Sequence, residues 1–591
     1  MGAGSLAWDA APEAAGTVDG VRIATGVLAF CLLLLVGAGI AEAATITGSR
    51  SADRLRGTAE ADTLRGLGGA DFLDGGRGRD TLDGGPADDL LEADDGTRDI
   101  VRCGPGRDVV EADRVDLVGS DCEVVSRRLS RDPYRNRESQ HETQVEPDSF
   151  AHGSTIVTVF QVGRIRDGGA ANIGWATSLD GGRTWRSGFL PALTVFSTPA
   201  GVSSRVSDPV VAYDAVHRVW LASSLGVSPG VTHLYVSRSS DGTSWSAPVS
   251  AARAETGSLA YDKEWVACDN WASSPFAGRC YLSYTELAGR RLSTQATADG
   301  GITWSGGAGV PGSGSVSGAQ PVARPDGTLH VLHVNPSGVA VARSTDGGAT
   351  FGRATLVATL EARALAGMRS PSLPSVETDG AGRIYAAWHD CHFQPDCRAN
   401  DIVVTSSSDG VVWSPATRAA AAPGVSRFVA GLGVDPATRG SSTRLTIAYY
   451  SAPRSCPLQR CRLTASFVSS ADAGASWTPP QRVSVQPMPL SWIAETTQGR
   501  MVGDYVSTSY AEGRPVAVFS LASARRGSSF QQFVYAARLP DRPLSIRSFR
   551  TDRPASLDQP RPRSGATRSS TPGIGRSPTG SGRRARPGRR A

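Results

Sequence analysis

The chain has 591 residues, of which 40% are hydrophobic, and a formal net charge of +5. This length exceeds what one compact core supports, so we expect several domains. The positive charge comes from residues 541–591, which hold thirteen arginines against three aspartates, so that residues 1–540 carry about −5. This balance excludes a basic nucleic-acid-binding surface on the folded part of the chain.

Residues 1–43 carry the pattern of an export signal. The run from Ile23 to Ala41 holds no charged residue, and Ala41-Glu42-Ala43 gives the small-x-small cleavage pattern. Acidic residues before this run are unusual for a signal and indicate that Val21 is the true initiator. The alternative is an uncleaved membrane anchor, because nineteen uncharged residues just suffice to span a bilayer. We expect a protein that is secreted or held at the cell surface.

Cysteine spacing supports export. Cys31 lies in the signal, and the other eight cysteines fall into pairs that are close in sequence. His389 and His392 interleave with one pair, so a metal site is the alternative there. Pairing of all the other cysteines in an oxidising compartment favours disulfides throughout. The predicted disulfides are Cys103/Cys122, Cys268/Cys280, Cys391/Cys397 and Cys456/Cys461.

A nine-residue repeat begins at Gly48. Units such as GLGGADFLD, GGRGRDTLD and GGPADDLLE place an aspartate at their sixth position. The pattern resembles the RTX nonapeptide family, which implies a short parallel β-roll over residues 48–123. Glycines permit its left-handed turns, and hard oxygen ligands select Ca²⁺ as the cofactor. The aspartates predicted to bind Ca²⁺ are Asp62, Asp71, Asp80, Asp89, Asp99 and Asp108.

Calcium is expected to be a folding ligand of this roll, because its crowded carboxylates repel one another without a cation. The alternative is a disordered acidic linker, which would lack a strict register. The first two units lack the paired glycines, which weakens the prediction for their sites. We expect removal of Ca²⁺ to unfold residues 48–123 and to leave the following domain intact.

A longer repeat occupies residues 142–540. Its marker is S-x-D-G-G-x-T-W, in forms such as SLDGGRTW and TADGGITW, each after an alternating β run. The marker predicts a hairpin turn in which the aspartate accepts turn N–H groups and the closing aromatic ring packs between sheets. The aspartates of the six copies are Asp180, Asp241, Asp299, Asp346, Asp409 and Asp472.

This marker resembles the Asp-box (BNR) repeat of the sialidase-like superfamily. The resemblance implies an all-β chain: an Asp-box β-propeller with one blade per marker, preceded by the RTX β-roll. A further set of β runs follows the sixth marker, so we favour seven blades, with six as the alternative. Residues 124–141 are charged and unpatterned and predict a linker. Residues 541–591, rich in Arg, Pro and Ser, predict a disordered tail whose charge suits contact with an anionic cell envelope.

Propellers usually bind ligands at the mouth of the central channel, near the starts of the innermost strands. Asp262, Lys263 and Glu264 in YDKEW and Asp504 and Tyr505 in GDY are the main candidates there. We assign Asp262, Glu264 and Tyr505 to catalysis and Lys263 and Asp504 to substrate binding. Other acidic candidates at strand starts are Glu142, Asp208 and Glu377.

Classical sialidase chemistry is not supported by the sequence. A sialidase needs three arginines that grip the substrate carboxylate, a Tyr–Glu pair and an Asp. The family marks its first arginine with F-R-I-P, which residues 142–153 lack. Arg290, Arg369 and Arg500 remain as candidates for substrate binding.

The sequence thus predicts a calcium-binding protein that interacts with glycans or glycoproteins. An exo-glycosidase of sialidase type is the first alternative, and a non-catalytic protein-binding propeller is the second.

Overall fold

The computed structural model describes residues 42–256 and 259–540. Most of the predicted export signal and the predicted basic tail lie outside the described residues. Forty strands and three short 3₁₀ turns make up the regular structure of the described part, which contains no α-helix. No helix of this part is long and apolar enough to cross a membrane. The 3₁₀ turns are Pro395–Cys397, Gly440–Ser442 and Leu490–Trp492.

The nine-residue repeats form a parallel β-roll, as predicted. Odd-numbered strands β1 to β9 form one sheet and even-numbered strands β2 to β10 belong to the other. Residues two repeats apart therefore pair, as Leu64 does with Leu82 and Leu73 with Leu91, and these four leucines are fully buried between the sheets. The strands are β1 (Thr45–Thr47), β2 (Arg54–Arg56), β3 (Thr63–Arg65), β4 (Phe72–Asp74), β5 (Thr81–Asp83), β6 (Leu90–Ala93), β7 (Ile100–Arg102), β8 (Val109–Ala112), β9 (Leu117–Val118) and β10 (Val124–Arg128).

Residues 142–540 form seven consecutive groups of antiparallel strands. The first three groups are β11 (Gln144–His152), β12 (Thr155–Arg164), β13 (Ala170–Ser178) and β14 (Arg186–Phe189); β15 (Arg205–Asp214), β16 (Val219–Ser228), β17 (Val231–Ser239) and β18 (Val249–Glu255); and β19 (Tyr261–Cys268), β20 (Cys280–Glu286), β21 (Arg291–Thr297) and β22 (Ala308–Gly309). The next three are β23 (Ser317–Ala323), β24 (Leu329–Asn335), β25 (Gly338–Ser344) and β26 (Thr355–Ala358); β27 (Ser375–Thr378), β28 (Ile384–Asp390), β29 (Asp401–Ser407) and β30 (Thr417–Ala420); and β31 (Val425–Val434), β32 (Leu445–Pro453), β33 (Arg462–Ser470) and β34 (Gln481–Arg482).

The seventh group follows three short strands, and its strands close a ring. The short strands are β35 (Met488–Pro489), β36 (Glu495–Thr496) and β37 (Gly499–Arg500), and the group itself holds β38 (Ser507–Ala511), β39 (Arg514–Ala522) and β40 (Gln532–Arg538). The first strand of each group contacts the first strand of the next, and β38 of the last group contacts β11 of the first. We call residues 142–540 the sheet ring and these seven first strands its inner strands.

Strand β10 joins the roll to the sheet ring. It pairs in parallel with β8 of the roll, for example Val124 with Val109, and antiparallel with β40, for example Val125 with Arg538. The roll sheet and the seventh group therefore form one continuous eight-stranded sheet. The prediction of a linker over residues 124–141 is wrong for its first five residues. These residues form strand β10, which is partly buried between its two neighbouring strands.

The junction between roll and ring has a common core. Phe72 and Val109 of the roll belong to the same hydrophobic cluster as Phe519 and Tyr535 of the ring. Polar contacts cross the junction as well: Gln486 Nε2 donates to Glu92 at 2.9 Å, and the Val485 amide donates to Glu111 at 2.6 Å. The expectation that the roll unfolds without affecting the following domain therefore does not fit the structure.

The six S-x-D-G-G-x-T-W markers fold into one kind of turn. In the first, Asp180 Oδ1 accepts the amides of Arg183 and Thr184 at 3.0 and 2.9 Å, and the Thr184 hydroxyl donates to Oδ2 at 2.6 Å. The other five aspartates accept turn amides two to four residues ahead in the same way. In Asp346, hydrogen bonds from Thr350 lower the carboxyl pKa to about 2. Each turn follows the third strand of its group, on the outside of the ring. The markers therefore stabilise hairpin turns and lie away from the inner strands.

All four predicted disulfides are present in the described chain: Cys103–Cys122, Cys268–Cys280, Cys391–Cys397 and Cys456–Cys461. The metal-site alternative for the third pair is wrong, because the sulfurs of Cys391 and Cys397 are bonded to each other. His389 is buried in β28, and His392 instead contacts Asp390 at 2.7 Å. Disulfides of this number are typical of proteins from oxidising compartments.

Candidate functional site

The roll presents a row of buried carboxylates. One oxygen of each aspartate accepts a backbone amide from two repeats earlier, as Asp89 Oδ1 does from Asp71 at 2.7 Å and Asp62 Oδ1 does from Ala44. The other oxygen of five aspartates is buried and has no hydrogen-bond partner in the described chain: Asp71, Asp80, Asp89, Asp99 and Asp108. Asp62 differs, because Thr58 occupies its Oδ2 through both amide and hydroxyl.

The surroundings of these bare oxygens fit a calcium ion. A Cβ added to Gly84 would lie 2.6 Å from Asp89 Oδ2 and 2.8 Å from the Cys103 carbonyl oxygen, so the glycine leaves a cradle of oxygens open. Burial raises the pKa of Asp99 and of Asp108 to about 7, which shows how strongly the bare carboxylates need a partner. Carboxylate and carbonyl oxygens are the ligands that Ca²⁺ prefers. When bound, Ca²⁺ supplies the positive charge that these oxygens lack.

A second set of charged groups lies at one end of the inner strands. Inner strands β11, β15 and β19 each carry a β-bulge near their start, at Val145/Asp148, Ser207/Val210 and Asp262/Trp265. The bulged residues Glu146, Asp208 and Lys263 have φ of 53°, 50° and 53°. Such left-handed conformations are costly for residues other than glycine and are concentrated at functional sites. The bulges bring the three side chains together.

Lys263 is the centre of this group. Its Nζ lies 2.6 Å from Asp504 Oδ2, 3.4 Å from Asp208 Oδ1 and 3.5 Å from Glu146 Oε1. Arg369 Nε donates to the other oxygen of Asp504 at 2.8 Å, so that Asp504 joins the lysine and the arginine. The side chain of Lys263 is 9% exposed and those of the three carboxylates are at most 5% exposed. A buried network of this kind is rigid and depends on each of its members.

The carboxylates of this network differ in proton affinity. Burial disfavours the charged form of Asp504, but Lys263 and Arg369 hold the pKa of this carboxyl well below its usual range. Burial, only partly opposed by Lys263, raises the pKa of Glu146 to about 7. Burial and repulsion from Asp208 raise the pKa of Asp262 to about 6. Groups that titrate near neutral pH beside permanently charged ones are suited to moving protons.

A cavity of about 640 Å³ opens above this network, and we call it the mouth cavity. Asp262, Lys263 and Arg369 line it, together with the bulged residues Glu146 and Asp208. Its size lies within the range of small-molecule sites. Charged side chains of both signs face it, so it suits a ligand rich in hydrogen-bonding groups.

Glu264 and Tyr505 lie deeper than the mouth cavity. Both oxygens of Glu264 are buried without a partner in the described chain, and burial raises its pKa well above the usual range. The Tyr505 hydroxyl donates to the Pro209 carbonyl at 3.0 Å, and its ring meets Trp265 edge to face. These two candidates for catalysis line a small inner cavity beside Lys263, and neither lines the mouth cavity.

The structure does not bring the three candidate arginines together. Arg369 lines the mouth cavity, whereas Arg290 is exposed in the tight turn between β20 and β21. Arg500 contacts the site through its backbone only, since its carbonyl accepts the Arg369 amide at 2.8 Å while its guanidinium binds Ile493 and Glu495. Neither Arg290 nor Arg500 lines the mouth cavity, so their assignment to substrate binding stays a prediction.

Sequence reasoning missed several residues of the site. Glu146, and not Glu142, occupies the site, because the bulge in β11 places the later residue among the charges. Arg164 at the end of β12 lines the mouth cavity and is 2% exposed. Gln161 Nε2 contacts Glu146 and also donates to Ser207 at 3.1 Å. The sequence offered one signal for these residues, the arginine Arg164 at the end of the apolar run of β12.

Comparison with known proteins identifies the roll. Residues 47–82, 66–100 and 75–110 match the model of the RTX calcium-binding nonapeptide repeat. Residues 47–110 are RTX calcium-binding repeats. The bare carboxylate oxygens and open glycine cradles described above agree with this assignment, and the RTX repeats bind Ca²⁺.

Solved structures similar to the chain share little sequence with it. Hadza microbial sialidase Hz136 is 16% identical, with a TM-score of 0.37, over 52% of this chain and 64% of its own. A protein of unknown function from Dyadobacter fermentans is 14% identical, with a TM-score of 0.37, over 70% and 98%. Trypanosoma rangeli sialidase is 12% identical, with a TM-score of 0.38, over 70% and 59%. The chain thus spans less than two thirds of each sialidase, and no curated protein matches it.

Removal of calcium from the RTX repeats should lower the thermal stability of the sheet ring as well as the roll. Ligand at one hundred times its dissociation constant contributes about 2.7 kcal/mol per site, and β10 transmits the loss to β40. Tryptophan fluorescence reports the ring alone, because residues 42–174 contain no tryptophan. We expect EGTA to lower the midpoint of this fluorescence transition, and Asp89→Asn to do so in part.

The control is Asp83→Asn, whose side chain lies on the opposite side of β5 from buried Leu82. It should leave the midpoint unchanged within error. A fluorescence transition that is identical with Ca²⁺ and with EGTA would disprove the coupling.

Lys263→Met should lower the free energy of unfolding by about 3–5 kcal/mol at pH 7, because it removes the cation that Glu146, Asp208 and Asp504 share and leaves only Arg369 beside Asp504. Without the lysine, burial raises the pKa of Glu146 further, so the variant loses stability as the pH rises above about 4. In the wild type the lowered pKa of Asp504 has the opposite effect, since stability is lost as the pH falls. The difference in free energy of unfolding between the wild type and Lys263→Met should therefore be smaller at pH 4.5 than at pH 7, as measured by urea unfolding.

Arg291→Met is the matched control. Arg291 is half exposed and pairs with Glu286 at 2.8 Å, so its loss should cost at most about 1 kcal/mol. A Lys263→Met protein as stable as this control at pH 7 would contradict the central role of Lys263.

Proposed function

We propose that residues 142–540 form a seven-bladed Asp-box β-propeller that binds glycans at the mouth of its channel, on an exported protein stabilised by calcium. Seven groups of antiparallel strands support the blade count, because their inner strands contact one another in a closed cycle. Strand β10 provides the fourth strand of the seventh blade, which has no Asp-box of its own. A chain that closes its ring with an N-terminal strand leaves no open sheet edge at the junction.

The mouth cavity carries the functional part of this proposal. Carboxylates and a guanidinium side by side can accept from and donate to the hydroxyl groups of a sugar. Arg369 is paired with Asp504 and Arg205 with Asp167, so two of the three arginines that line the cavity are already neutralised and only Arg164 lacks a carboxylate partner in the described chain. We therefore favour neutral glycans over sialic acids as ligands.

Export is supported by the disulfides and by the calcium roll. Four disulfides persist only in an oxidising compartment, and millimolar calcium outside the cell suits modules of low affinity. We propose an extracellular location, either free or at the cell surface.

Glycan binding is tested with a glycan array probed by the purified protein in Ca²⁺. We expect neutral glycans to bind, and Asp262→Asn to weaken the strongest interaction about 10- to 100-fold, because a hydrogen bond to a charged group is lost. Asp396→Asn, an exposed aspartate of the turn Pro395–Cys397, is the control and should bind as the wild type does. Binding that is unchanged in Asp262→Asn would place the ligand elsewhere.

Hydrolysis of a glycoside is the second candidate, and the proton affinities of Asp262 and Glu146 favour it. With pKa values of about 6 and about 7, both carboxyl groups exchange protons near neutral pH. Glycosidases use one such group as acid and a second as base or nucleophile.

A panel of fluorogenic glycosides, sialosides included, tests this candidate. We expect turnover to fall about 100-fold or more in Asp262→Asn, and the wild-type rate to change with pH around 6 as Asp262 titrates. Asp396→Asn again serves as the control. If the wild type turns over no glycoside in the panel, the binding function remains and the hydrolase is excluded for those substrates. Turnover that survives in Asp262→Asn would exclude this carboxylate as the catalyst.

A further inference from the structure

The inner strands enclose a second cavity, which lies further along the strands than the mouth cavity. Its volume is about 340 Å³, and we call it the far cavity. Residues of all seven inner strands line it, from Asp148 of β11 to Ser509 of β38. It is therefore a closed-walled site at the centre of the ring, of a size typical for small ligands.

The far cavity carries negative charge only. Asp148 and Glu377 line it, and none of its lining residues in the described chain is a lysine, arginine or histidine. The mouth cavity differs, since Arg164, Lys263 and Arg369 line it. Two carboxylates that share one cavity without a basic group repel each other, so the site attracts a cation.

The two carboxylates differ in how far the protein satisfies them. The Val211 amide donates to Asp148 Oδ2 at 2.9 Å, Ser149 and Ser507 also donate to this carboxylate, and its side chain is 5% exposed. No group of the described chain donates a hydrogen bond to Glu377. Burial raises the pKa of Asp148 to about 7 and, with repulsion from Asp148, that of Glu377 to about 8. A positive ligand would satisfy both groups.

Four aromatic residues belong to the remaining wall. Phe150, Trp265, Trp271 and Tyr510 line the far cavity, and Trp271 is held by a hydrogen bond from its Nε1 to the Ala323 carbonyl at 2.9 Å. Aromatic faces attract organic cations, and carboxylates beside them add a direct ion pair. The volume also exceeds the roughly 30 Å³ that one water molecule occupies in the liquid, so an organic ion fits better than a bare metal ion.

We propose that the far cavity binds a small organic ammonium ion, held between Asp148 and Glu377 and against the aromatic wall. This site is separate from the mouth cavity and does not depend on glycan binding.

Titration calorimetry of the wild-type protein in Ca²⁺ with choline and with 3,3-dimethylbutan-1-ol tests the proposal. The two molecules have the same shape and differ in charge. We expect choline to bind with one site per chain, and the neutral alcohol to bind at least about tenfold more weakly, because the ion pairs are lost. Equal binding of the two, or no binding of choline at millimolar concentration, would overturn the proposal.

Two variants locate the site. Glu377→Gln should weaken choline at least about tenfold, while Glu255→Gln, an exposed glutamate of β18, should not change its affinity. A thermal melt of Glu377→Gln that matches the wild type shows that the loss is not due to unfolding. Choline affinity that is unchanged in Glu377→Gln, or displacement of choline by Ca²⁺ beyond the saturation of the roll, would overturn the assignment.

Discussion

Strand β10 is hydrogen bonded on both of its edges, and the described structure depends on this pairing. On one side it completes a parallel stack of calcium-binding repeats, and on the other it supplies the outer strand of the last antiparallel group. An unpaired β40 would expose a full row of backbone donors and acceptors, and the shared core around Phe72 and Phe519 would open to water. The roll therefore completes the last strand group of the ring through β10 and shares its core.

Inside the ring, seven inner strands converge around the mouth cavity and the far cavity. The bulges at Glu146, Asp208 and Lys263 turn charged groups toward the mouth cavity, where each side chain is at most 9% exposed. One lysine then compensates three carboxylates, and Arg369 stabilises the shared Asp504. Replacement of such a network by apolar residues often preserves stability, so its presence favours a role in binding or chemistry over one in folding.

Features set by local sequence could be predicted, and features set by long-range packing could not. The nine-residue register, the Asp-box turns and the disulfide pairs follow from residues close in the chain, and the structure has all of them. Lys263 and Asp504 were named from the sequence as charged residues near strand starts, and the structure places Lys263 Nζ 2.6 Å from Asp504 Oδ2. The pairing of β10 with β40, more than 400 residues later, leaves no pattern in either strand. A bulge likewise shifts which side chain faces inward, which is why Glu146 was missed and Glu142 was named.

The continuous sheet also links calcium to the candidate site. Its strand order runs from the roll through β8, β10, β40 and β39 to β38, and Asp504 and Tyr505 immediately precede β38. Asp504 holds both Lys263 and Arg369, so a shift of β38 would disturb the whole charge network. Buried ion pairs tolerate little displacement, because their attraction compensates desolvation only at close range. We therefore expect calcium bound to the roll to help fix the geometry of the mouth cavity.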